Sequence, residues 1–460
     1  MKLFFAGISL LSLFATQLSA QVKLGESVVE TSQAIKVHVT SPTPELQSLA
    51  VQAFNSHGRY QAVAAGAAYE VKFTLVSPTQ VRVEALRGTA SVVNESVSGR
   101  DARQALLKGA DLVVEKTNGL GLKGFFTAQL AFIQDLGKGK EVCTGDLFFG
   151  AVVRQTQDNA AALFPRWAPD GNRLIYTSFY RSGFPDIYVI DLASRRRDLL
   201  VHFKGTNQGA RFSPSGGQIA MVLSGEGNPE IYVGTAQGTN VEARTRLSGA
   251  VKSSPAFSPD GSQIIFAGEP GPQLYVMPNT KYGAPRQVSP RGFAQYCAEP
   301  DWSRTDPNKV VFTARVNGAY RIAVLNLAAG QAKVVEMQNA PFDAKEPSWL
   351  ADGRHVIYTA VARSGETRVA ILDTETGKST PVSATSPPNR RSMSMTSSTL
   401  SVASRLRSCC CISDTHCLAT CARARNDGLH DLRCAVADLK AQDRKSTRLN
   451  SSHVALSRMP

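Results

Sequence analysis

The sequence predicts a mainly β protein, a six-bladed β-propeller preceded by a small α/β domain. The main evidence is a unit of about 45 residues that occurs five times after residue 160. Segments with helical periodicity alternate with strand-like segments before Gly119. At 460 residues with 43% hydrophobic content, the chain is long enough for more than one core.

The first 34 residues carry features of export. Lys2 precedes an apolar run from Leu3 to Ala15, and small or polar residues follow to Ala20. This pattern predicts a secretory signal peptide over residues 1–20, with a buried N-terminal element as the alternative. The apolar run is short for a membrane span, and no later segment is apolar enough for one. Residues 21–31 are polar, and residues 21–34 are expected to form a flexible arm.

Residues 35–119 predict the small α/β domain. A strand is expected at Ile35–Thr40, and a hairpin is expected around Pro78. One helix is predicted from Pro44 to Gly58, because its apolar residues share one face. A second is predicted from Asp101, a plausible N-cap, to Gly119, a plausible stop.

Residues 120–384 contain the propeller, with five repeats and an incomplete sixth blade. The repeat aromatics follow one another at intervals of 45, 45, 45 and 47 residues, and their repetition indicates blade packing: Trp167, Phe212, Phe257, Trp302 and Trp349. Turns of the Pro-Asp-Gly type come next, in which Asp bonds the local backbone and Gly adopts positive φ. The turn residues are therefore also structural: Asp170, Gly171, Asp260, Gly261, Asp352 and Gly353.

The sixth blade is expected from three strands that precede the first repeat. They lie in Thr127–Leu136, Glu141–Gly150 and Ala151–Gln157. A fourth strand from the C-terminal side is needed, because an open propeller exposes two unpaired strand edges.

Residues 385–460 differ from the rest of the chain. From Ser386 onward they hold six of the eight cysteines, 12 Lys and Arg, 5 Asp and Glu, and no aromatic residue. The ending resembles a translated sequencing adapter, so we predict a disordered tail derived from a frameshift or adapter. A natural disordered tail, or a metal or disulfide site in Ser408–Cys421, is the alternative, although the Cys and His spacing departs from usual zinc patterns. The last blade is then expected to stay unclosed.

No catalytic site, metal site or cofactor is predicted, and the chain is not expected to be an enzyme. There is no G-x-S-x-G pentapeptide of a propeller peptidase. Four acidic residues could be imagined around a central cation, as in propeller lactonases, but they belong to the repeat: Glu299, Asp301, Asp306 and Glu346. Half of the net charge of +14 lies in the tail, where no aromatics are interleaved with the basic residues, so nucleic acid is not an expected partner.

Two sets of side chains are left without a role. His38, His57, His202 and His355 are scattered in the sequence and pair with no obvious nucleophile. Cys143 and Cys297 are either free or paired with each other.

From Ile35 to Val382 the chain resembles the TolB family of the Tol-Pal system. The resemblance rests on the leader, the α/β domain, the repeats such as SPAFSPDG, and the Leu120–Phe126 junction. It implies a non-enzymatic periplasmic adaptor that supports envelope integrity and outer-membrane constriction at division. An exported propeller that acts as sensor, scaffold or hydrolase for a small ligand is the alternative.

The resemblance also implies partners. A peptidoglycan-associated lipoprotein (Pal) would bind the propeller face formed by loops that lead into the innermost strands, and the arm would contact a TolA-like inner-membrane protein. Transferred to this sequence, the lipoprotein-binding residues are Thr206, Asn207, Gln208, Lys252, Ser253, Ser254, Glu299, Lys345 and Glu346. The alternative is that each is an ordinary solvated turn residue.

Overall fold

The computed structural model describes residues 34–246, 250–269, 271–382 and 454–457. The predicted signal peptide, the arm up to residue 33, and the Ser408–Cys421 cysteine cluster lie outside the described residues. The expectation of a mainly β fold with a six-bladed propeller and a small α/β domain is confirmed.

The α/β domain is a five-stranded sheet with both helices on one face. Its strands are β1 (Ile35–Thr40), β2 (Tyr60–Ala62), β3 (Tyr69–Ser77), β4 (Gln80–Arg87) and β5 (Ala90–Ser98), in the order β2-β1-β3-β4-β5. The helices are α1 (Pro44–Ser56) and α2 (Ala102–Thr117). Strands β2 and β5 are additions to the elements expected from the sequence.

Side-chain caps fix where the helices begin. Thr43 accepts a hydrogen bond from the Leu46 N–H at 3.3 Å, and Pro44 occupies the first turn, where its missing N–H costs nothing. Asp101 accepts from the Gln104 N–H at 2.7 Å, in agreement with its predicted N-cap role. The helices end two residues before the predicted stops at Gly58 and Gly119.

Each propeller blade is a four-stranded antiparallel sheet. Blade one comprises β9 (Ala162–Trp167), β10 (Arg173–Ser178), β11 (Asp186–Asp191) and β12 (Arg197–Val201). Blade two comprises β13 (Asn207–Phe212), β14 (Gln218–Leu223), β15 (Glu230–Thr235) and β16 (Glu242–Ala243). Blade three comprises β17 (Lys252–Phe257), β18 (Gln263–Gly268), β19 (Gln273–Pro278) and β20 (Arg286–Gln287).

The remaining three blades follow the same plan. Blade four comprises β21 (Cys297–Trp302), β22 (Lys309–Val316), β23 (Ala319–Asn326) and β24 (Gln331–Val334). Blade five comprises β25 (Asp343–Trp349), β26 (His355–Val361), β27 (Thr367–Asp373) and β28 (Ser379–Pro381). Blade six comprises β6 (Gln129–Asp135), β7 (Lys140–Asp146), β8 (Val153–Arg154) and β29 (Val454–Ser457).

The sixth blade differs from the sequence expectation. Strand β29 pairs antiparallel with β6, so the ring is closed by residues from the segment predicted to be disordered, and the expectation of an unclosed blade is wrong. The inner edge of β6 would otherwise present unpaired N–H and C=O groups, and backbone pairing can satisfy these with any extended segment. The frameshift or adapter origin of residues 385–460 stays a prediction.

Each repeat aromatic packs in the seam between its own blade and the preceding one. Trp167 shares a buried cluster with Ala131 and Ile133 of blade six, and Trp349 shares one with Val311 and Ile322 of blade four. Phe212, Phe257 and Trp302 occupy the corresponding clusters of their own seams. The seam between blades five and six instead merges with the α/β core through Phe125, Phe126 and Phe148.

The repeat turns adopt the left-handed conformation that glycine favours. Gly171, Gly261 and Gly353 have φ of 69°, 75° and 68°. Asp170 accepts from the Asn172 N–H, Asp260 from the Ser262 N–H, and Asp352 from the Arg354 N–H. These bonds define the lower face of the propeller, where the first strand of each blade turns into the second.

Two charged contacts fasten the α/β domain to this lower face. Asp111 of α2 accepts from the N–H groups of Phe126 and Thr127 at 2.9 and 3.0 Å, and from the Thr127 hydroxyl at 2.6 Å. Arg103 of α2 binds Asp146 with two hydrogen bonds of 2.6 and 3.1 Å. Burial raises the pKa of Asp111 to about 6, against the lowering effect of its hydrogen bonds. The α/β domain therefore leaves the opposite, upper face uncovered.

We expect Gly261→Ala to lower the free energy of unfolding by about 1–2 kcal/mol, because an L side chain is strained at positive φ. Gly217→Ala in the equivalent turn of blade two is the matched control. Its backbone lies outside the left-handed region, and an added Cβ meets only the Ser215 hydroxyl, at 3.7 Å. Urea unfolding measures both variants, and equal losses would contradict the assignment of the turn glycine.

We expect Asp111→Asn to destabilise the protein by about 1–3 kcal/mol, because the amide offers fewer acceptor sites to three buried donors. The difference between wild type and variant should also depend on pH. A carboxyl whose native pKa is raised stabilises the fold below pH 3.8 and loses that contribution as pH rises to about 6. Urea unfolding at pH 4.5 and 7 checks this, and a difference that grows with pH would contradict it.

Candidate protein-binding face

The upper face of the propeller is formed by two sets of loops. One set joins the second and third strands of each blade, and the other joins the outer strand of one blade to the inner strand of the next. Chain direction in an antiparallel blade brings both sets to the same side. Loops that converge on a rigid scaffold are suited to recognition.

The predicted lipoprotein-binding residues lie on or beneath this face. Thr206, Gln208, Ser253, Ser254, Glu299 and Lys345 are partly exposed, whereas Asn207, Lys252 and Glu346 are buried. The structure therefore brings the set together around the mouth of the central channel, but it does not offer all of it to a partner.

Lys252 is corrected from a contact residue to a structural one. It is 1% exposed, and its Nζ lies 2.8 Å from Glu230 Oε1 and 2.6 Å from the Ala250 carbonyl oxygen. A charged group is stable in the interior only when it is paired and hydrogen-bonded. Position in a loop motif could not distinguish this buried cation from an exposed one.

Asn207 is corrected in the same way. Its side-chain NH₂ donates to the carbonyl oxygens of Phe203, Gly205 and Pro185 at 2.8, 3.3 and 3.3 Å, and its side-chain oxygen accepts from the Phe203 N–H at 2.9 Å. It is 1% exposed. Asn207 thus ties the loop between β10 and β11 to the loop between β12 and β13.

Both loops expose aromatic side chains that were not among the predicted site residues. Phe184 is 68% exposed, Tyr180 51% and Phe203 50%. Exposed basic residues flank them: Arg181, His202 and Lys204. The signal in the sequence was the segment Phe179–Pro185, which places aromatics in a connection that is polar in the other repeats. We call Tyr180, Phe184 and Phe203 the aromatic patch.

One stacked cation, Arg197, supports the Tyr180 ring of the patch. The guanidinium of Arg197 lies 4.5 Å from the ring centre of Tyr180 and 5.5 Å from that of Tyr188. Its charge is paired with Asp158 at 2.6 Å. Such stacking holds the Tyr180 ring, and the hydrogen bonds of Asn207 hold the backbone of both loops, so the patch is pre-organised.

The central channel is filled by charged side chains. Arg211 donates to Asp301 Oδ1 at 2.6 Å, while Asp301 Oδ2 accepts from the Trp349 N–H at 2.9 Å. Burial, and then the nearby Arg211, lower the pKa of Arg166 to about 9. Two cavities along the channel have volumes of about 40 and 70 Å³. These volumes are far below the roughly 300 Å³ of ordinary ligand pockets.

Four of the five repeats place a non-glycine residue at positive φ where the inner strand passes the channel: Phe164, Ser254, Glu299 and Glu346. Each position coincides with a bulge in the strand pairing. Glu299 Oε2 accepts from the Thr313 hydroxyl at 2.8 Å and from the Glu346 N–H at 3.1 Å. The acidic residues of the repeat are thus held by protein donors.

His57 and His355 are far apart in the sequence but lie next to each other in the structure. The description of the histidines as scattered is therefore wrong for these two. The rings of His57 and His355 lie 4.4 Å apart at the contact between α1 and blade five. Ligand-type atoms of His57, Asp352 and His355 lie within 4.8 Å of one another. Both nitrogens of His355 are already hydrogen-bonded, to Asp352 and to the Gly58 N–H, so this is a hydrogen-bonded junction and not a metal centre.

The structure also shows whether the two cysteines among the described residues form a disulfide. Cys143 and Cys297 are buried and unpaired. Burial raises the pKa of each thiol to about 12, which makes both poor nucleophiles.

Fold and surface together define a β-propeller protein with a candidate protein-binding face. Among the residues that the structure describes, no helix is long and apolar enough to cross a membrane. The family PD40, described as the TolB beta propeller domain, matches residues 117–387, which is more than half of the chain. The chain belongs to this family, and the resemblance seen in the sequence is confirmed.

Curated relatives agree with the family. Two proteins called "Tol-Pal system protein TolB", from Bordetella pertussis and Bordetella bronchiseptica, are each 32% identical over 209 residues. The match covers 45% of this chain and 46% and 45% of those proteins, so the chain spans about half the length of the curated relatives it matches. The crystal structure of TolB from Acinetobacter baumannii has a similar fold, with a TM-score of 0.67, 22% identity, and coverage of 75% of this chain and 92% of that one.

We expect Asn207→Ala to loosen both loops of the aromatic patch, because four hydrogen bonds are lost and their backbone partners are left unsatisfied. Amide hydrogen exchange should become at least about tenfold faster at Phe203 and Asn207, with a loss of about 1–3 kcal/mol in stability. Asn228→Ala, in an exposed loop of the same face, is the control and should change neither. Unchanged exchange in Asn207→Ala would show that the Asn207 hydrogen bonds do not hold the two loops.

Proposed function

We propose that the chain is a periplasmic adaptor of the Tol-Pal system that binds a peptidoglycan-associated lipoprotein through its upper propeller face. The observation that carries the proposal is the aromatic patch, which lies on the uncovered face of a TolB-family propeller. A non-enzymatic role agrees with the narrow, charge-filled channel.

Aromatic residues beside cations are the composition of binding hot spots. Phe, Tyr and Arg are enriched at the buried centres of protein interfaces, and a few such residues supply most of the binding energy. The patch is held by Asn207 and Arg197, so little entropy is lost when a partner orders it. Its cations favour a partner with an acidic rim.

The partly exposed residues at the channel mouth extend this surface. In the proposal Thr206, Gln208, Ser253, Ser254, Glu299 and Lys345 form the polar rim of the lipoprotein contact. Asn207, Lys252 and Glu346 act from beneath by holding the loops and the inner strands in place.

The further elements of the role are also proposals. Export by the leader over residues 1–20 would place the protein in the periplasm. The arm over residues 21–34 would contact a TolA-like inner-membrane protein. Together these contacts would support envelope integrity and outer-membrane constriction during division.

The test is calorimetric titration of the full chain with the soluble domain of the lipoprotein from the same organism. We expect the double variant Phe184→Ala, Phe203→Ala to bind at least about tenfold more weakly, since hot-spot truncations cost 2 kcal/mol or more. Tyr282→Ala is the control, because Tyr282 is also exposed but lies between β19 and β20, on the lower face.

Either of two results would contradict the proposal. If the wild-type chain does not bind the lipoprotein domain, the lipoprotein is not its partner. Equal weakening by the patch variant and by Tyr282→Ala would show that the upper face is not the contact surface.

A further inference from the structure

The contact between the α/β domain and blade five is built around two buried histidines. His57 caps the C-terminal end of α1, and His355 begins β26. Both are 0% exposed. The ring centre of Phe125 lies 4.7 Å from that of His57 and 4.5 Å from that of His355. The two rings come from different domains, so their protonation bears on how the domains dock.

The hydrogen bonds assign the proton on His355. Its Nε2 accepts from the Gly58 N–H at 3.1 Å, so that nitrogen carries no proton. Its Nδ1, 2.6 Å from Asp352 Oδ2, then carries the proton and donates it to the carboxylate. Neutral His355 is thus satisfied on both sides, and one of its bonds crosses to the α/β domain.

The bonds of His57 leave no place for a second proton. Its Nδ1 accepts from the Arg59 N–H at 3.3 Å, so the proton of the neutral ring is on Nε2. That Nε2 is buried and has no hydrogen-bond partner among the residues that the structure describes. A second proton would have to go to Nδ1, where it would face the Arg59 N–H, and would create a buried imidazolium with no acceptor.

The charges around His57 oppose its protonation as well. Burial is the first cause that holds the pKa of His57 well below its usual value of 6.5, and the nearby cations of Arg354, Lys378 and Arg59 add to it. The two nearby carboxylates are committed elsewhere, Asp352 to His355 and Asp373 to Arg354 at 2.7 and 3.0 Å. Tyr60 packs edge-on against His57 at 5.1 Å and offers no charge to compensate.

We propose that this junction is a pH-sensitive latch, in which neutral His57 holds the α/β domain on the propeller and protonated His57 releases it. The inference goes beyond the proposed adaptor role and does not depend on any partner. Release would act at Ile35, the first residue after the predicted arm, because the carbonyl oxygen of Arg59 accepts from the Ile35 N–H at 2.8 Å.

The direction of the effect follows from the proton count. A released His57 takes up a proton near pH 6.5, whereas the docked one does not, so docking is fully favoured above pH 6.5 and weakens as pH falls. For one proton the docking constant falls up to tenfold per pH unit, or about tenfold between pH 7.5 and 5.5. Asp111 at the same junction titrates in the opposite direction, so the effect must be isolated by a variant at His57.

The test is amide hydrogen exchange on the full chain at pH 7.5 and 5.5, expressed as protection relative to intrinsic rates. Between pH 7.5 and 5.5, junction peptides that contain Gly58 and Leu122–Thr127 should lose about tenfold more protection in the wild type than in His57→Phe, because Asp111 titrates in both. A blade-three peptide, Gln263–Gly268, should lose none. His57→Phe keeps an aromatic ring but cannot titrate, so its junction peptides should respond to pH through Asp111 alone.

His38→Phe is the matched control, since His38 belongs to the same domain but is exposed and paired with Glu70. It should respond to pH as the wild type does. The same change of junction protection with pH in the wild type and in His57→Phe would overturn the latch. If that variant does not fold, the comparison of junction and blade-three peptides in the wild type still decides, because equal losses would show global unfolding instead of release.

Discussion

The burial of one repeat aromatic in each of five blade seams is the interaction on which the rest of the structure depends. A four-stranded blade has two apolar faces, and each must be covered by a neighbour before the ring is stable. Trp167, Phe212, Phe257, Trp302 and Trp349 provide this cover at five seams. The sixth seam has no repeat aromatic and instead shares the core of the α/β domain.

This arrangement separates the two faces of the propeller. The turns that follow the repeat aromatics lie on the lower face, where the α/β domain binds through Asp111, Arg103 and the two histidines. Among the described residues, the loops of the upper face do not contact the α/β domain, so they can vary in sequence without disturbing the blade seams. The aromatic patch is an example, because its loops depart from the other repeats while the blade beneath them does not.

The sequence was informative where one residue has one physical role. Repeat spacing predicted the blades, turn chemistry predicted the glycines at positive φ, and the N-cap preference predicted Asp101. It was less informative where burial decides the role. Lys252 and Asn207 occupy loop positions that suggest contact with a partner, but pairing with Glu230 and bonding to Phe203 and Pro185 make them internal.

Contacts between residues far apart in the chain could not be predicted from the sequence either. His57 and His355 are almost 300 residues apart, and only the docking of two domains brings them together. Strand β29 paired with β6 because backbone hydrogen bonding is indifferent to side chains, which sequence patterns cannot anticipate. The exposed aromatics were visible in the sequence but resembled ordinary loop residues until the fold placed them on one face.

A hydrogen-exchange footprint of the full chain with and without the lipoprotein domain tests most directly whether the upper face is the contact surface. Binding at the upper face predicts new protection in Phe179–Pro185 and His202–Gln208, and none in the loop around Tyr282 on the lower face. Protection confined to the lower face, or to the exposed side of the α/β sheet, would contradict it.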